Sequence, residues 1–469
     1  MSNSGNSSNL KKYDLIIVGA GPAGIFAALE IAREREERIL IIEKGPDLSA
    51  RQCPINQQGI GCTHCNPCRI VSGWGGAGAF SDGKLTLTPE FGGWLHEYLA
   101  KDDLVELISY VDETFLHYGA PTTLYGTDQK VIKDLQRRAA TADLSLIPSA
   151  VRHLGTERCT EILHNIHQDL DNRIDMLTGV AAREILVGKN GRVTGIITAD
   201  GTEYQCQYLV VAPGRDGSQW FAKEAKRLGL DLMVNPVDVG VRVEVPAVVL
   251  EDITEKVYES KLIYYSKSFD DQVRTFCVNP YGEVVIENNS GVLTVNGHSY
   301  GEKKTDLTNF ALLVSKNFTE PFKEPITYGR YIASLANLLS GGVLVQRLGD
   351  LLAGRRSTEK RMQRGMVQPS LREATPGDLS LVLPYRHLTS ILEMLEAMDQ
   401  LAPGVFSRHT LLYGVEVKFY SSRLTLTPEL ETRIGNMFAI GDGAGVTRGL
   451  VQAASSGVLV AREIVKRMG

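Results

Sequence analysis

No apolar run in the sequence reaches the roughly 18 residues that a membrane span needs, which excludes a helical membrane anchor of ordinary length. The Ser/Asn-rich start, Met1 to Asn9, has neither the basic nor the apolar region of a signal peptide. Cysteines are few and odd in number, seven in all, so a secreted disulfide framework is not expected and a reduced, cytoplasmic setting is. Basic charge is not in excess either. With 50 Lys and Arg against 55 Asp and Glu, the net charge of −5 gives no electrostatic case for nucleic acid or an anionic membrane. Repeats and low-complexity segments are absent beyond the opening tail.

What is present is a 469-residue chain of ordinary globular composition, long enough for two or three domains with large cores. "YDLIIVGAGPAGIFAALEIAREREERILIIEK" reads as strand, glycine turn, amphipathic helix, strand. Gly19, Gly21 and Gly24 give G-x-G-x-x-G. The first allows the turn, the second lets backbone approach a pyrophosphate, and the third lets helix and strand pack closely. The helix N-terminus offers free N–H groups to phosphate. Glu43 ends the second strand nineteen residues after Gly24, where a carboxylate would bind ribose hydroxyls. A dinucleotide is therefore expected here.

The far end of the chain, "NMFAIGDGAGVTRGLVQAASSGVLVAREIVKRM", has a strand, a Gly-Asp turn and a long helix starting near Thr447. It resembles the closing FAD motif of the glutathione-reductase-type flavoproteins. In that family the aspartate, here Asp442, hydrogen-bonds the ribityl chain, and the following helix points its positive end at the flavin pyrimidine. "YQCQYLVVAPGRDGS" resembles the strand and glycine turn that precede the exit to the family's second domain. Together these imply FAD as the resident cofactor. A narrower resemblance covers nearly the whole chain. "SGWGGAGAFSDGKL", "VNGHSY", "GDLLAGRRST", "LLYGVEVKFY" and "GDGAGVTRGLVQAASSG" are similar to a bacterial and archaeal family of uncharacterised FAD-dependent dehydrogenases. That family supplies a cofactor and a reaction class, not a substrate. By resemblance, FAD contacts fall on Gly19, Gly21, Pro22, Ala23, Gly24, Glu43 and Lys44. They continue in the glycine loop at Gly75, Gly76, Ala77 and Ser81, at Gly214, and at Gly441, Asp442, Gly449 and Leu450.

The expected fold is α/β: a Rossmann-like FAD-binding domain of glutathione-reductase type, with a parallel sheet and a β-meander, and an inserted mixed α+β substrate domain. Residues 1–12 form a flexible tail and 13–221 the first part of the FAD domain, with a Cys-rich loop at 52–70 and a helical excursion at 92–142. Residues 222–410 form the insert, and 411–469 close the FAD domain. Helices are expected over Leu95–Tyr118 and Thr127–Ala142, and in the insert near 307–318, 328–353 and 387–400. Strands are expected at "VGVRVEV", "RTFCVNP" and "GEVVIEN", and a β-meander between Asp171 and Val211. The insert shows no second G-x-G-x-x-G. Electrons would then come from NAD(P)H docking transiently at the flavin, from a protein partner, or from the substrate itself.

Four cysteines, Cys53, Cys62, Cys65 and Cys68, crowd into sixteen residues just before the glycine loop, spaced C-x8-C-x2-C-x2-C. The run C-x2-C-x2-C resembles the core of a ferredoxin cluster motif, with Cys53 as a fourth thiolate. Four thiolates equally suit a structural zinc. Free thiols in a turn, or a redox-active pair, are the other readings. Ligation, by iron–sulfur or zinc, is the favoured expectation.

Ser81, Asp82 and Lys84 follow the glycine loop. Lys84 is a candidate donor toward flavin N5 or substrate, with loop capping as the plain alternative. His298 is a candidate general acid, although a lone histidine is more often structural. Arg448 is a candidate for holding a substrate carboxylate. Arg330, Tyr331, Arg355 and Arg356 are weaker candidates for an anionic substrate, since "GRRSTEKRMQR" also reads as a solvated basic face. Tyr413 and Glu416 suit packing equally well. The expected activity is hydride transfer through flavin N5 to or from a small anionic metabolite, by C=C reduction or oxidation. The rivals are a flavoprotein acting on RNA and a non-catalytic flavin or cluster redox sensor. A small-molecule substrate and an electron-transfer protein partner are expected; nucleic acid and a membrane span are not.

Overall fold

A computed structural model describes residues 11–52, 65–81, 83–233, 235–289, 291–299, 304–316, 318, 324–419 and 423–469. The chain divides into two compact units, one of Met1–Thr122, Thr156–Met233 and Ser421–Gly469, the other of Thr123–Gly155 and Val234–Tyr420. Among the described residues no helix is long and apolar enough to cross a membrane.

The first unit is built on a sheet whose parallel strands run in the order Asp175–Thr178, Ile39–Glu43, Lys11–Val18, Glu203–Val211. The strand Glu203–Val211 shares its other edge between two neighbours. Its start pairs antiparallel with Val193–Thr198, which continues to Ala182–Val187, and its end pairs parallel with Met437–Ala439. Thus the meander and the closing strand join the sheet on one strand. Leu15 to Val18 and all of Ile39–Glu43 are buried, as continuous apolar runs are when helices cover both faces of a parallel sheet. The first helix, Pro22–Glu34, packs against the closing helix, Leu450–Met468. Contact is backbone-close: a β-carbon on Gly457 would overlap the Ala23 carbonyl.

The second unit holds an eight-stranded sheet. Its order is Thr375–Pro376, Leu344–Arg347, Leu411–Lys418, Val237–Pro246, Leu307–Lys316, Gln272–Asn279, Lys261–Tyr265, Ser145–Ile147. The strand Val237–Pro246 shows the period of two without an exposed side. Val237, Val239, Val241, Val243 and Val245 enter an apolar core with Leu250 and Ile253 of the helix Ala247–Val257 and with Ile391, Met394, Leu395 and Met398 of the helix Tyr385–Leu401. The alternate residues Asp238, Arg242 and Glu244 are equally buried on the opposite face. A hairpin, Glu283–Asn289 with Val292–His298, packs against strands of this sheet.

Several expectations are corrected. The helix expected near 307–318 is the strand Leu307–Lys316. "FALLV" is apolar on both sides because the strand lies between two others in mid-sheet, and periodicity cannot separate such a run from a buried helix. The helix expected over 328–353 is broken. It runs Pro325–Ser340, ends at Gly341 in the left-handed region (φ 70°), and is followed by the strand Leu344–Arg347 and a short helix Leu348–Leu352. The closing helix begins at Leu450 behind Gly449, not at Thr447. The excursion 92–142 is divided, since the helix Lys101–His117 lies in the first unit and Gln129–Ala140 in the second. The second unit accordingly spans Val234–Tyr420 plus Thr123–Gly155, rather than 222–410.

Candidate functional site

The glycine turn, the glycine loop and the closing motif converge within the first unit. Gly19 takes φ 105°, and its N–H bonds the Ile42 carbonyl at 2.8 Å, so the chain leaves the first strand while still tied to the second. A β-carbon on Gly19 would overlap the Ala212 carbonyl, and one on Gly24 the Gly19 carbonyl. Gly21 differs. The nearest atom to a β-carbon there is Gly76 Cα at 4.0 Å, so Gly21 faces open space bordered by the glycine loop. That loop is a 3₁₀ turn over Gly76–Phe80, tied to the first turn by Gly75 N–H to the Ala20 carbonyl at 2.8 Å. A β-carbon on Gly78 would lie 2.6 Å from Leu450 Cδ2 and 3.5 Å from Pro22 Cγ. A β-carbon on Gly441 would lie 3.1 Å from that of Ala23.

Both helices that start here lack a side-chain cap. The first begins behind Gly21 with Pro22, and the closing helix begins behind Gly449. The first intrahelical bonds are Ile25 N–H to the Gly21 carbonyl and Ala453 N–H to the Gly449 carbonyl. The N–H groups of Ala23 and Gly24, and of Leu450, Val451 and Gln452, therefore precede the helical ladder, at positively polarised helix ends.

Glu43 organises the turns. Its Oε2 accepts from Ala20 N–H at 2.9 Å, and its Oε1 from Gly45 N–H at 2.8 Å and Gly73 N–H at 3.0 Å. One carboxylate thus joins the first turn, its own turn and the glycine loop. With roughly four lone-pair positions on a carboxylate, one remains for a ribose hydroxyl. Lys44 pairs with Asp216 at 2.6 Å, and Ser72 Oγ donates to the same carboxylate at 2.6 Å. Burial alone would raise the Asp216 carboxyl, but Lys44 and Ser72 outweigh it and leave it below its ordinary value.

Asp442 accepts from Thr447 Oγ1 at 2.8 Å. Its carboxyl is raised above the ordinary range because desolvation outweighs the charges of Arg215 and Arg448 and the Thr447 bond. Arg448 stacks its guanidinium 3.7 Å from the centre of the Trp94 ring, and its backbone N–H reaches the Gly92 carbonyl at 2.8 Å. Arg423, paired with Glu97 at 2.8 Å, approaches the same ring at 5.7 Å.

The remaining candidates are distributed. Ser81 Oγ donates to the Gly78 carbonyl and accepts from Gly83 N–H, capping the loop end. Ala77 lies within the 3₁₀ turn, Gly214 opens the helix Gly214–Arg227, and Lys84 opens the strand Lys84–Leu87. Asp82 lies outside the described residues. His298 ends a hairpin strand opposite Glu283, in the second unit, while the glycine turns belong to the first. Also in that unit, Arg330 donates to the Asn289 carbonyl at 3.3 Å and Arg355 pairs with Asp350 at 2.9 Å. Tyr331 is exposed on its helix. Tyr413 and Glu416 are buried: Tyr413 donates to Glu244 at 2.6 Å, and Glu416 pairs with Arg242 and Lys418. A cavity of about 370 Å³, lined by Leu87, Pro89, Val105, Ile108 and Leu116 among others, contains none of the candidate catalytic residues.

Cys53 and Cys62 lie outside the described residues, while Cys65 and Cys68 carry free thiols. Among the described residues no group of three or more His, Cys, Asp or Glu is arranged to hold a metal. Sequence reasoning missed Arg51. Its buried guanidinium donates to the carbonyls of Arg69 (3.0 Å), Ile70 (2.6 Å), Trp74 (2.6 Å) and Gly76 (2.8 Å), fastening the end of the cysteine segment to the glycine loop. Burial lowers its pKa to about 10. Nothing in the local sequence marks an arginine in a loop as a carbonyl clamp.

Residues 236–419 match the family of FAD-dependent proteins described as C-terminal domain-like, and residues 17–80 match the NAD(P)-binding Rossmann-like domain. The chain carries the domains of an FAD-dependent oxidoreductase. The enzyme is similar to an uncharacterized protein of Clostridium beijerinckii, 28% identical over 479 residues, covering 96% of this chain and 80% of that one. Among solved structures it is similar to the 3-ketosteroid-delta4-(5alpha)-dehydrogenase of Rhodococcus jostii, at TM-score 0.44 and 13% identity, covering 98% of this chain and 97% of that one. Another is the L-proline dehydrogenase of P. horikoshii, at TM-score 0.42 and 11% identity, covering 98% and 94%. A third is the glycine oxidase of Geobacillus kaustophilus, at TM-score 0.40 and 14% identity, covering 97% and 95%. FAD fits the residues of the first unit. Uncapped helix ends, the open face of Gly21 and the spare acceptor capacity of Glu43 are the features a pyrophosphate and a ribose require.

Proposed function

We propose that this oxidoreductase transfers a hydride to or from a small anionic organic substrate, reducing a C=C bond or oxidising a small metabolite. The observation that carries the reading is the convergence of two uncapped helix N-termini on one glycine loop, with Glu43 and Asp442 beside them. Bound FAD supplies the hydride-transferring chemistry at its N5. The N–H groups of Ala23 and Gly24 bind the pyrophosphate and Glu43 the adenosine ribose, while Asp442 binds the ribityl chain. The uncapped N-terminus of the closing helix favours negative charge placed against it. Arg448, its guanidinium over the Trp94 ring, is the candidate for a substrate carboxylate. Lys84 is a candidate donor beside the glycine loop. Electrons enter from NAD(P)H docking transiently, from a protein partner, or from the substrate. The test is an anaerobic metabolite screen read by bleaching of the flavin absorbance. Bleaching by one class of small anion supports the reading. Fully flavinated protein that no donor or acceptor pair turns over contradicts it and leaves the redox-sensor reading.

A four-thiolate centre at Cys53, Cys62, Cys65 and Cys68 belongs to the same proposal. Its support is the donor set, of which Cys65 and Cys68 are free thiols on the segment that Arg51 ties to the glycine loop. Iron, sulfide and zinc analysis of anaerobically prepared protein tests it. Substoichiometric amounts of all three remove the centre and leave a cysteine-rich turn.

A further inference from the structure

Charge and apolar exposure are unevenly spread along the chain. Residues 352–372 carry six Lys or Arg (Arg355, Arg356, Lys360, Arg361, Arg364 and Arg372) against one acidic residue, Glu359, in a protein of net charge −5. All six except Arg361 are exposed. The same part of the second unit leaves apolar side chains in water. Of the six most exposed large apolar side chains among the described residues, Val248 stands elsewhere and the other five are Tyr331, Leu338, Met366, Leu381 and Tyr385. Apolar residues scattered singly over a surface need no explanation, but their concentration in one stretch of chain does.

Hydrogen bonds bring these segments to one edge of the large sheet. The edge strand Thr375–Pro376 is tied to the C-terminal end of the helix Pro325–Ser340, which carries Leu338 at 79% exposure, by Thr375 Oγ1 donating to the Ser340 carbonyl at 2.9 Å. Ser357 N–H bonds the Gly377 carbonyl at 2.9 Å, so the turn that holds Arg355 and Arg356 lies beside the same strand. The Gln346 side chain joins the Arg355 carbonyl, at 3.0 Å, to Leu379 N–H, at 2.8 Å. That sets the 3₁₀ turn Leu379–Leu381, with Leu381 at 65% exposure, next to the arginine pair. Arg361 donates to the Arg356 carbonyl at 2.9 Å and brings the short helix Glu359–Gln363, with Lys360, to the same place. Buried Asp350 pairs with Arg355 at 2.9 Å and has Arg361 3.8 Å away. One carboxylate cannot neutralise two guanidinium groups, and Arg356, Lys360 and Arg364 remain exposed beside them.

We propose that this edge of the second unit docks on the surface of a bilayer that contains anionic phospholipid. Arg355, Arg356 and Lys360 meet the headgroup phosphates, and Leu338 and Leu381 reach past them toward the acyl chains. A bilayer offers both layers that the edge requires, anionic headgroups and hydrocarbon roughly 5–10 Å deeper. Nucleic acid answers the charge but has no counterpart for exposed leucines, and a neutral bilayer answers the leucines but not the charge. The net charge of −5 averages over this edge. Attraction to a charged membrane falls off within a Debye length, so the charges facing the surface decide it. The attachment is peripheral and independent of which substrate the flavin chemistry takes.

The test is co-flotation of the FAD-loaded full chain with vesicles of phosphatidylglycerol and phosphatidylcholine in equal parts, beside vesicles of phosphatidylcholine alone. Binding to the mixed vesicles should be at least about tenfold tighter than to the neutral ones and should weaken as salt is raised. Arg356→Gln combined with Lys360→Gln should weaken it by about tenfold or more and flatten the salt dependence. Leu338→Ser combined with Leu381→Ser should weaken it by about tenfold and leave the salt dependence in place. These four side chains are exposed, so flavin content and melting temperature of both variants should match wild type. Where a variant does not fold, the lipid preference and salt response of the wild type decide. No association with the mixed vesicles, equal association with the neutral ones, or undiminished association of either folded variant overturns the proposal. Binding of a single-stranded oligonucleotide that the Arg356→Gln, Lys360→Gln variant loses, with vesicles ignored, overturns it in favour of nucleic acid.

Discussion

Glu43 and Asp442 handle their charge in opposite ways. Glu43 is buried but accepts three backbone N–H bonds, so its charge is served by the protein whether or not a ribose is present. Asp442 has one hydroxyl donor, and desolvation holds its carboxyl above the ordinary range. A raised folded-state pKa contributes stability that is present below the unfolded value, about 4, and lost as pH rises through the folded one. Asp442→Asn should therefore make the FAD-free protein more stable at neutral pH and flatten its stability profile above pH ~4, while weakening FAD binding; thermal melts across pH check the first and flavin retention the second. Glycines separate along the same line. Gly24→Ala places a methyl into the Gly19 carbonyl and should cost about 2 kcal/mol or more of folding stability. Gly21→Ala meets nothing closer than 4.0 Å, so it should fold with its melting temperature nearly unchanged in the absence of FAD, yet bind FAD at least about tenfold more weakly. Equal FAD affinity in wild type and Gly21→Ala would deny that glycine its place at the pyrophosphate. Most of this was legible in sequence, because the spacing G-x-G-x-x-G and the carboxylate after the second strand are local patterns. The division of labour between Gly21 and Gly24 was legible in part; the share of Glu43 in fastening the turns was not, since its partners Ala20 and Gly73 lie up to thirty residues away.

At the scale of elements, the glycine loop is held by a long-range clamp. Arg51 satisfies four carbonyls, which a lysine at that position cannot do, since one ammonium has neither the reach nor the fork of a guanidinium. Arg51→Lys should lower stability by about 3 kcal/mol and loosen the loop. The measurement is denaturant unfolding, with hydrogen exchange at Trp74 and Gly76 as the local reading. The strand Leu307–Lys316 shows where sequence reading stops. Its apolar stretch is equally consistent with a buried helix, and only pairing with Val237–Pro246 and Gln272–Asn279 settles its state. The same sheet holds the buried pair Arg242–Glu416, both side chains at 0% exposure, with Arg242 also bonded to Asn309, Asn279 and the Cys277 carbonyl. Glu416→Gln strands a buried guanidinium and should cost about 3–5 kcal/mol. Arg242→Met combined with Glu416→Leu should recover part of that loss in the same unfolding assay. A Glu416→Gln variant as stable as wild type would mean that the pair is not desolvated.

At the scale of the whole molecule, two compact units divide the chemistry that the sequence names from the chemistry it does not. The first unit carries the turns and helix ends that a dinucleotide requires, and its order along the chain was readable from motifs at both ends. The second unit carries a charged sheet face with no motif at all, because a face assembled from several strands leaves only isolated residues in the sequence. Ligand linkage provides a global check: at a free FAD concentration of about 100 times its Kd, stability should rise by about 2.7 kcal/mol. The central claim is that the glycine turn, Glu43, Asp442 and the two helix ends hold FAD. Flavin content of the purified full-length chain, measured by absorbance after heat release and after reconstitution with added FAD, tests it most directly. The account predicts FAD equimolar with the wild-type chain and at least about tenfold weaker FAD uptake by a folded Gly21→Ala variant. Folded wild-type protein that carries no flavin and takes up none would contradict it.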